Sequence, residues 1–192
     1  MRRVNVCLNE RSLAGLIQLL ILYLLIGGEQ AANAETPVQA WVARYGYSGL
    51  NADDQVGKIV TDSAGNAVVI GSTTDNATGK NMLVVKYSSD GAALWTNSYA
   101  GLGNGDDVPT AVGVDANDNV FVAGYSTGPS GSSDVTTIAY SAAGLALWTN
   151  KYNGFLSPGA QASTLSVDEN GNVIVAGYVL SFGSSGDDYV AI

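Results

Sequence analysis

An all-β fold built from repeated four-stranded units is what this chain predicts, and three observations carry that prediction. Trp41, Trp95 and Trp148 stand 54 and 53 residues apart, while Asp62, Asp115 and Asp168, Asn66, Asn119 and Asn172, and Gly71, Gly124 and Gly177 each recur at 53. A fixed period of that length belongs to stacked supersecondary units. Each unit also holds a short run that is apolar at nearly every position: AVVIG at 67–71, VFVAG at 120–124 and VIVAG at 173–177. Runs so short and so rich in β-branched residues are strands, and a strand without alternation is buried on both faces. Finally, residues that tolerate positive φ punctuate the units regularly, at Gly65-Asn66, Asp118-Asn119 and Gly171-Asn172, and again at Asp90-Gly91 and Gly144.

The first 34 residues read as an address. Arg2, Arg3 and Arg11 make a positive start, Leu13 to Ile26 is apolar except for Gln18, and Ala32-Asn33-Ala34 gives a small-x-small cleavage pattern before Glu35. The apolar run is shorter than the ~20 residues a spanning helix needs, so a cleaved signal peptide is expected at 1–34. Cys7 precedes the apolar run, whereas a lipid-bearing cysteine would follow it. The expected product is a secreted or extracytoplasmic domain of residues 35–192, in the periplasm or at the cell surface.

That domain is long enough for one core. It keeps five basic residues, Arg44, Lys58, Lys80, Lys86 and Lys151, against fifteen acidic ones. Such a balance repels nucleic acid and anionic membrane, so neither is an expected partner. The single Cys leaves with the signal, and the chain has no His. Ser-His-Asp and Cys-His nucleophile systems and His-ligated zinc are thereby excluded.

Within one unit the elements follow in order. VGKIVT from Val56 leads through the turn DSAGN to AVVIGS, then through a polar loop to MLVVKY, the turn SSDG and AALWTNSY. That is four strands, bounded by turn residues. A four-stranded sheet whose inner strands are covered on both sides by copies of itself is a propeller blade. The units run at about 41–94, 95–147 and 148–192, giving about three four-stranded blades. Tight turns close one edge of each. The longer connections, at 73–80, 126–133 and 179–186 and at 46–54, 100–107 and 153–160, share the other edge, where binding is expected.

Candidate chemistry is sparse. Asp53-Asp54 and Asp106-Asp107 precede the first strands of two units, where two carboxylates could flank a sugar; the third unit has Gly159-Ala160 there. Neighbours on a strand point to opposite sides, so each pair in sequence is not expected to be a pair in space. These four residues are candidates for the ligand face, not for catalysis. Asp115 and Asp168 open turns with oxygen ligands at alternate positions, but Val120 and Val173 stand where a calcium loop wants Gly, and no later Glu completes the set. No catalytic, cofactor or metal residue is assigned. The repeated Trp, with Tyr45, Tyr99 and Tyr152 four residues after each, is expected to pack between units. Asn76-Ala77-Thr78 matches a glycosylation acceptor.

The units GNAVVIGS, DNVFVAGYS and GNVIVAGY, followed by KNMLVVKYSSDGAALWTNSY, SDVTTIAYSAAGLALWTNKY and DDYVAI, resemble the bacterial β-propeller repeat called the SBBP repeat. Gly124-Tyr125, Gly177-Tyr178, Tyr152-Asn153-Gly154 and Asp187-Asp188-Tyr189 carry the likeness most specifically; Ser72 departs from it. The resemblance implies an exported or surface-associated bacterial propeller and brings no catalytic residues. Residues 88–95 also approach the Asp-box of sialidase-like propellers, but Arg44 is the only arginine after the signal, so a carboxylate-gripping arginine cluster cannot form. They resemble quinoprotein-like propellers too, of which only the scaffold version suits a domain without a Cys pair.

Residues 37–45 align with a fourth strand and the chain stops inside a third strand. Closed propellers have about four to eight blades, so a partial or open propeller is expected, incomplete at its C-terminus. The functional expectation is a non-enzymatic module presenting loops to an unknown protein or carbohydrate ligand, with self-association possible through exposed blade edges. The competing expectations are a carbohydrate-active hydrolase using Asp53, Asp54, Asp106 or Asp107, and a scaffold protein.

Overall fold

The computed structural model describes residues 39–46, 53–75, 77–153, 159–180 and 186–192. The expected signal peptide, parts of the loops between units and Asn76 lie outside the described residues. Eleven strands and no helix make up the described chain, in three antiparallel sheets. Sheet 1 holds β1 (Asp54–Thr61), β2 (Ala67–Asp75), β3 (Gly79–Tyr87) and β4 (Ala93–Tyr99) in sequence order. Sheet 2 repeats this with β5 (Asp107–Val114), β6 (Val120–Thr127), β7 (Ser133–Tyr140) and β8 (Ala146–Tyr152). Sheet 3 has β9 (Ala160–Val167), β10 (Val173–Val179) and β11 (Asp188–Ala191), with β10 central. The strands fall where the turn residues and apolar runs predict them, and Trp95 and Trp148 sit on the fourth strands.

Each first hairpin is fixed by one repeated clamp. Asp62 Oδ1 accepts from Ala64 N and Asn66 N, and Asn66 Nδ2 donates to Oδ2 at 2.8 Å. Asp115 with Asn119 and Asp168 with Asn172 repeat the pattern. This is why Asp and Asn recur together. The carboxylate satisfies the turn's own N–H groups, and its lone pairs point at donors. Those hydrogen bonds from Asn172 hold the Asp168 carboxyl below its ordinary range. In the second unit the left-handed position is Asp118 (φ 61), where the other units have Gly. Its carboxylate takes Ser63 N at 2.9 Å and Ser63 Oγ at 2.8 Å, tying the turn of sheet 2 to that of sheet 1.

β2 and β6 are buried along most of their length because the sheets stack, whereas β10, expected to be buried on both faces, buries only Val175 and leaves Ile174 49% exposed, since no further sheet among the described residues packs on that side. Val68, Ile70, Met82 and Val84 of sheet 1 meet Val120, Val122, Ile138 and Tyr140 of sheet 2. The opposite face of sheet 2 gives Ala111, Ala123 and Val135 to a second cluster with Ala160, Ala162 and Val175 of sheet 3. First strands adjoin first strands: β1 packs on β5, and β5 on β9. Thr110 Oγ1 of β5 reaches Ala162 O of β9 at 2.7 Å.

Bulges repeat with the same period as the sequence. The register shifts between Val56 and Lys58, between Pro109 and Ala111, and on β9 opposite Ala176 and Gly177. Each shift presses a carbonyl of the first strand toward the glycine of the second. A Cβ on Gly71, Gly124 or Gly177 would lie 2.2, 2.1 or 2.0 Å from Gln55 O, Val108 O or Gln161 O. Pro109 fits because β5 is an edge strand within its sheet.

Two Trp joints connect successive units. Trp95 of β4 packs on Tyr140 of sheet 2 with ring centroids 6.0 Å apart, and its Nε1 donates to Ala142 O at 3.0 Å. Trp41 stands in the same relation to Tyr87, at 5.9 Å, with Nε1 donating to Ser89 O at 3.0 Å. Residues 37–45 were expected to form a fourth strand, yet 39–45, the described part, are in no strand; Trp41 and Ala43 pack on Leu83, Val85 and Tyr87 of sheet 1. Trp148 instead packs on Phe121 of its own sheet, at 6.0 Å, and is 43% exposed.

One feature breaks the repeat. Lys86, where sheet 2 has Ala139, is buried between sheets 1 and 2 and pairs with Asp62 at 2.8 Å. Burial pushes the Asp62 carboxyl up, but hydrogen bonds from Lys86 and Asn66 outweigh it and hold it down at about 2. Because the folded pKa is depressed, this stabilisation is fully present above the ordinary carboxylate value of 3.8 and is lost as pH falls through about 2. Lys86→Met should cost about 3 kcal/mol in urea unfolding, by leaving a buried carboxylate without its cation. Adding Asp62→Asn should recover most of that loss and flatten the acid limb of the stability profile. Equal losses in the single and double variants would show that the pair is not coupled.

Candidate functional site

The edge that carries the longer connections gathers the first-strand starts, second-strand ends and third-strand starts. Here the strands run further than expected. The 73–80 loop of the sequence reading is largely ladder, with Thr73↔Asn81, Thr74↔Lys80 and Asp75↔Gly79 paired. Thr, Asn and Lys look like loop residues in sequence, but an antiparallel hairpin tolerates them at its solvent end.

The four candidate acids are placed differently from one another. Asp53 is exposed; its Oδ2 accepts from Gln55 Nε2 at 3.1 Å, and its carbonyl accepts from Thr74 Oγ1. Asp54 is exposed at the start of β1. Asp106 is exposed and reaches back to sheet 1, where its Oδ1 accepts from Lys80 N at 3.1 Å; its carbonyl takes Thr127 N and Oγ1. Asp107 is 1% exposed, with Oδ2 accepting from Gly101 N at 2.6 Å and Oδ1 without a hydrogen-bond partner among the described residues. Asp106 and Asp107 therefore separate, one to solvent and one inward, whereas Asp53 and Asp54 are both exposed. Among the described residues no three His, Cys, Asp or Glu side chains gather closely enough to hold a metal ion.

Asp107 belongs to a polar cluster at the junction of sheets 1 and 2. Ser126, paired with Asp107 in the ladder, accepts from Lys151 Nζ at 3.3 Å. That ammonium also lies 5.9 Å from the centroid of the Tyr99 ring. The corresponding place in sheet 1 is a recess of about 230 Å³ lined by Tyr45, Thr73, Thr74, Asp75, Asn81 and Ser98. Tyr45 stands for Tyr99, Thr73 for Ser126, Asn81 for Asp134 and Ser98 for Lys151, each at the repeat distance. In sheet 3 the place is apolar, with Ala160, Val179 and Tyr152 in the second core cluster. Burial pushes the nearby Tyr125 hydroxyl up, with the Asp106 charge adding to it.

The sequence reading placed Thr73 in the 73–80 connection and did not single out Asn81 or Ser98. Their signal is a polar residue recurring at a strand end, and it becomes legible only once the strands are known to extend that far. A larger groove of about 420 Å³ crosses the front of sheet 1, between Trp41, Tyr45, Val56 and Leu83. It is mainly apolar and gathers no pair of reactive groups.

No protein-family model matches this chain, and no curated protein matches it.

Proposed function

We propose that the chain is an exported, non-enzymatic module of β-propeller type that presents the loop-bearing edge of its sheets to a ligand. The radial reading draws on the adjoining first strands β1, β5 and β9, and on the outer strand β4, which reaches sheet 2 through Trp95 and Asn97. Its bacterial, secreted character draws on the likeness to the SBBP repeat and on the signal-like first 34 residues. Nucleic acid and membrane are not its partners on this reading, because acidic residues outnumber basic ones threefold after residue 34.

The observation that carries the non-enzymatic reading is the use made of Asp106 and Asp107. Hydrolysis of a glycoside by two carboxylates needs both to face one sugar, about 5–10 Å apart. Here Asp107 is buried under Gly101, while Asp106 is spent on a backbone N–H of the neighbouring sheet. Incubation with a panel of nitrophenyl glycosides and polysaccharides should release no product. Turnover that disappears in Asp54→Asn or Asp106→Asn would overturn the proposal.

A further inference from the structure

We propose that the front of sheet 1 and the back of sheet 3 are two halves of one interface, closed by a second copy of this chain; the inference goes beyond the ligand reading and does not rest on it. Both outer faces expose the positions that the internal junctions bury. On the back of sheet 3, Tyr189 lies opposite Tyr178 as Met82 lies opposite Ser72 in sheet 1, and Ile174 holds the place of Val68 in the repeat. Met82 and Val68 are fully buried against sheet 2, whereas Tyr189 is 78% and Ile174 49% exposed. On the front of sheet 1, Ile59 stands where Val112 and Leu165 pack between sheets, and it is 65% exposed. Ile59 also lines the apolar groove of about 420 Å³ that crosses this face. Exposed apolar positions gathered in this way mark an interaction surface.

The occupant is identified by the strand that each face lacks. Trp41 meets Tyr87 and Ser89 O as Trp95 of β4 meets Tyr140 and Ala142 O. Residues 39–45 therefore hold the place of a fourth strand against sheet 1, yet no third strand among the described residues pairs with them. β11 is the converse, a third strand whose outer edge has no fourth among the described residues. The register that pairs β3 with β4 and β7 with β8 sets Tyr45 opposite Tyr189, Arg44 opposite Val190 and Ala43 opposite Ala191. Arg44 then lies diagonal to Asp188, within reach of an ion pair across the strands. The edge of β11 gains partners for its backbone N–H and C=O groups.

Within one copy, sheet 2 stands between the two faces, so the missing strand comes from another copy. The established junction of sheets 1 and 2 is thereby continued from the back of sheet 3 onto the front of the second copy's sheet 1. The exchange is reciprocal: each copy gives residues 39–45 to the other's sheet 3, which closes a two-fold assembly with both faces covered. Two copies bring six sheets together, inside the range of about four to eight blades that closed propellers have.

The test is the mass of the full chain, produced with its own leader and measured by light scattering after size exclusion. Twice the mass of one copy is expected. Ile59→Glu and Ile174→Glu should each fold, because both side chains are exposed in one copy. Each should weaken the association at least about a hundredfold, by placing a charge inside an apolar interface. The strand contact is read separately, in a Cys7→Ser background that removes the chain's own thiol. Copies carrying Ala43→Cys, mixed and exchanged with copies carrying Ala191→Cys, should oxidise to a linked pair, while neither alone should. The mass of one copy, as when a segment of the same chain covers both faces, would overturn the interface, and so would open assemblies larger than two. A two-copy mass that survives both Glu variants, with no mixed disulfide, would assign the contact to another surface and overturn it as well. Every one of these outcomes leaves the loop-bearing edge and its ligand reading untouched.

Discussion

Gly124→Ala should destabilise the fold by at least about 4 kcal/mol, the range reserved for backbone conflicts and large core defects. The added Cβ would lie 2.1 Å from Val108 O and 2.8 Å from Pro109 Cα, and both are backbone atoms that cannot rotate away. Relief would require β5 to retreat from β6, undoing the Pro109↔Gly124 pairing beside the bulge. It would also disturb Val122 and Ala123, both fully buried between sheets. Gly128→Ala is the control. Its nearest neighbour would be Ser132 O at 3.6 Å, an ordinary contact, so the change should cost less than about 1 kcal/mol. Urea unfolding of the two variants measures the difference. If Gly124→Ala melts like Gly128→Ala, β5 does not press on β6 as described.

The recurrence of Gly71, Gly124 and Gly177 was legible from the period, but its cause was not. The glycine answers a bulge on a different strand, at residues 57, 110 and 163, whose identities are Gly, Thr and Ser. Nothing in those three residue types announces a bulge, so only the partner's missing side chain records it. The Asp and Asn of the first turns were legible as a turn because their chemistry is local: the carboxylate bonds N–H groups two and four residues on. Lys86 was invisible for the opposite reason. It appears in one unit only, at the end of the apolar run Met82–Val85, and its partner Asp62 is 24 residues away and already engaged in its own turn.

The candidate site shows the same division. Asp53-Asp54 and Asp106-Asp107 stood out because acids are conspicuous, but only the second pair divides between solvent and interior. Which member turns inward depends on the Gly101 amide waiting for Asp107, a contact made by the connection between sheets. Thr73, Asn81 and Ser98 come from three strands, and each is an ordinary polar residue at a strand end. Their convergence depends on the Thr73↔Asn81 register, which turn chemistry alone does not fix once the hairpin extends beyond its apolar run.

Trp95→Ala should cost about 3–5 kcal/mol, whereas Trp148→Ala should cost only about 1 kcal/mol, although the two residues are equivalent in sequence. Trp95 spans two sheets: its ring meets Tyr140, and its Nε1 bonds Ala142 O at 3.0 Å. Gly144, with φ at +84°, gives it room, since a Cβ there would lie 2.7 Å from the indole Cγ. Asn97, two residues along β4, adds a 2.8 Å bond to Gly144 O from the same side. Trp148, 43% exposed, contacts Phe121 within its own sheet, so its truncation removes one ring pair and no joint between sheets. The joint makes a stronger prediction for the pair. Gly144→Ala alone should be costly, through both the clash and the positive φ. With Trp95→Ala already present, only the backbone strain of about 1 kcal/mol should remain, so the two losses should fall well short of adding. Denaturant unfolding of both single variants and the double variant measures this coupling. Full additivity would mean that the indole does not lie over Gly144.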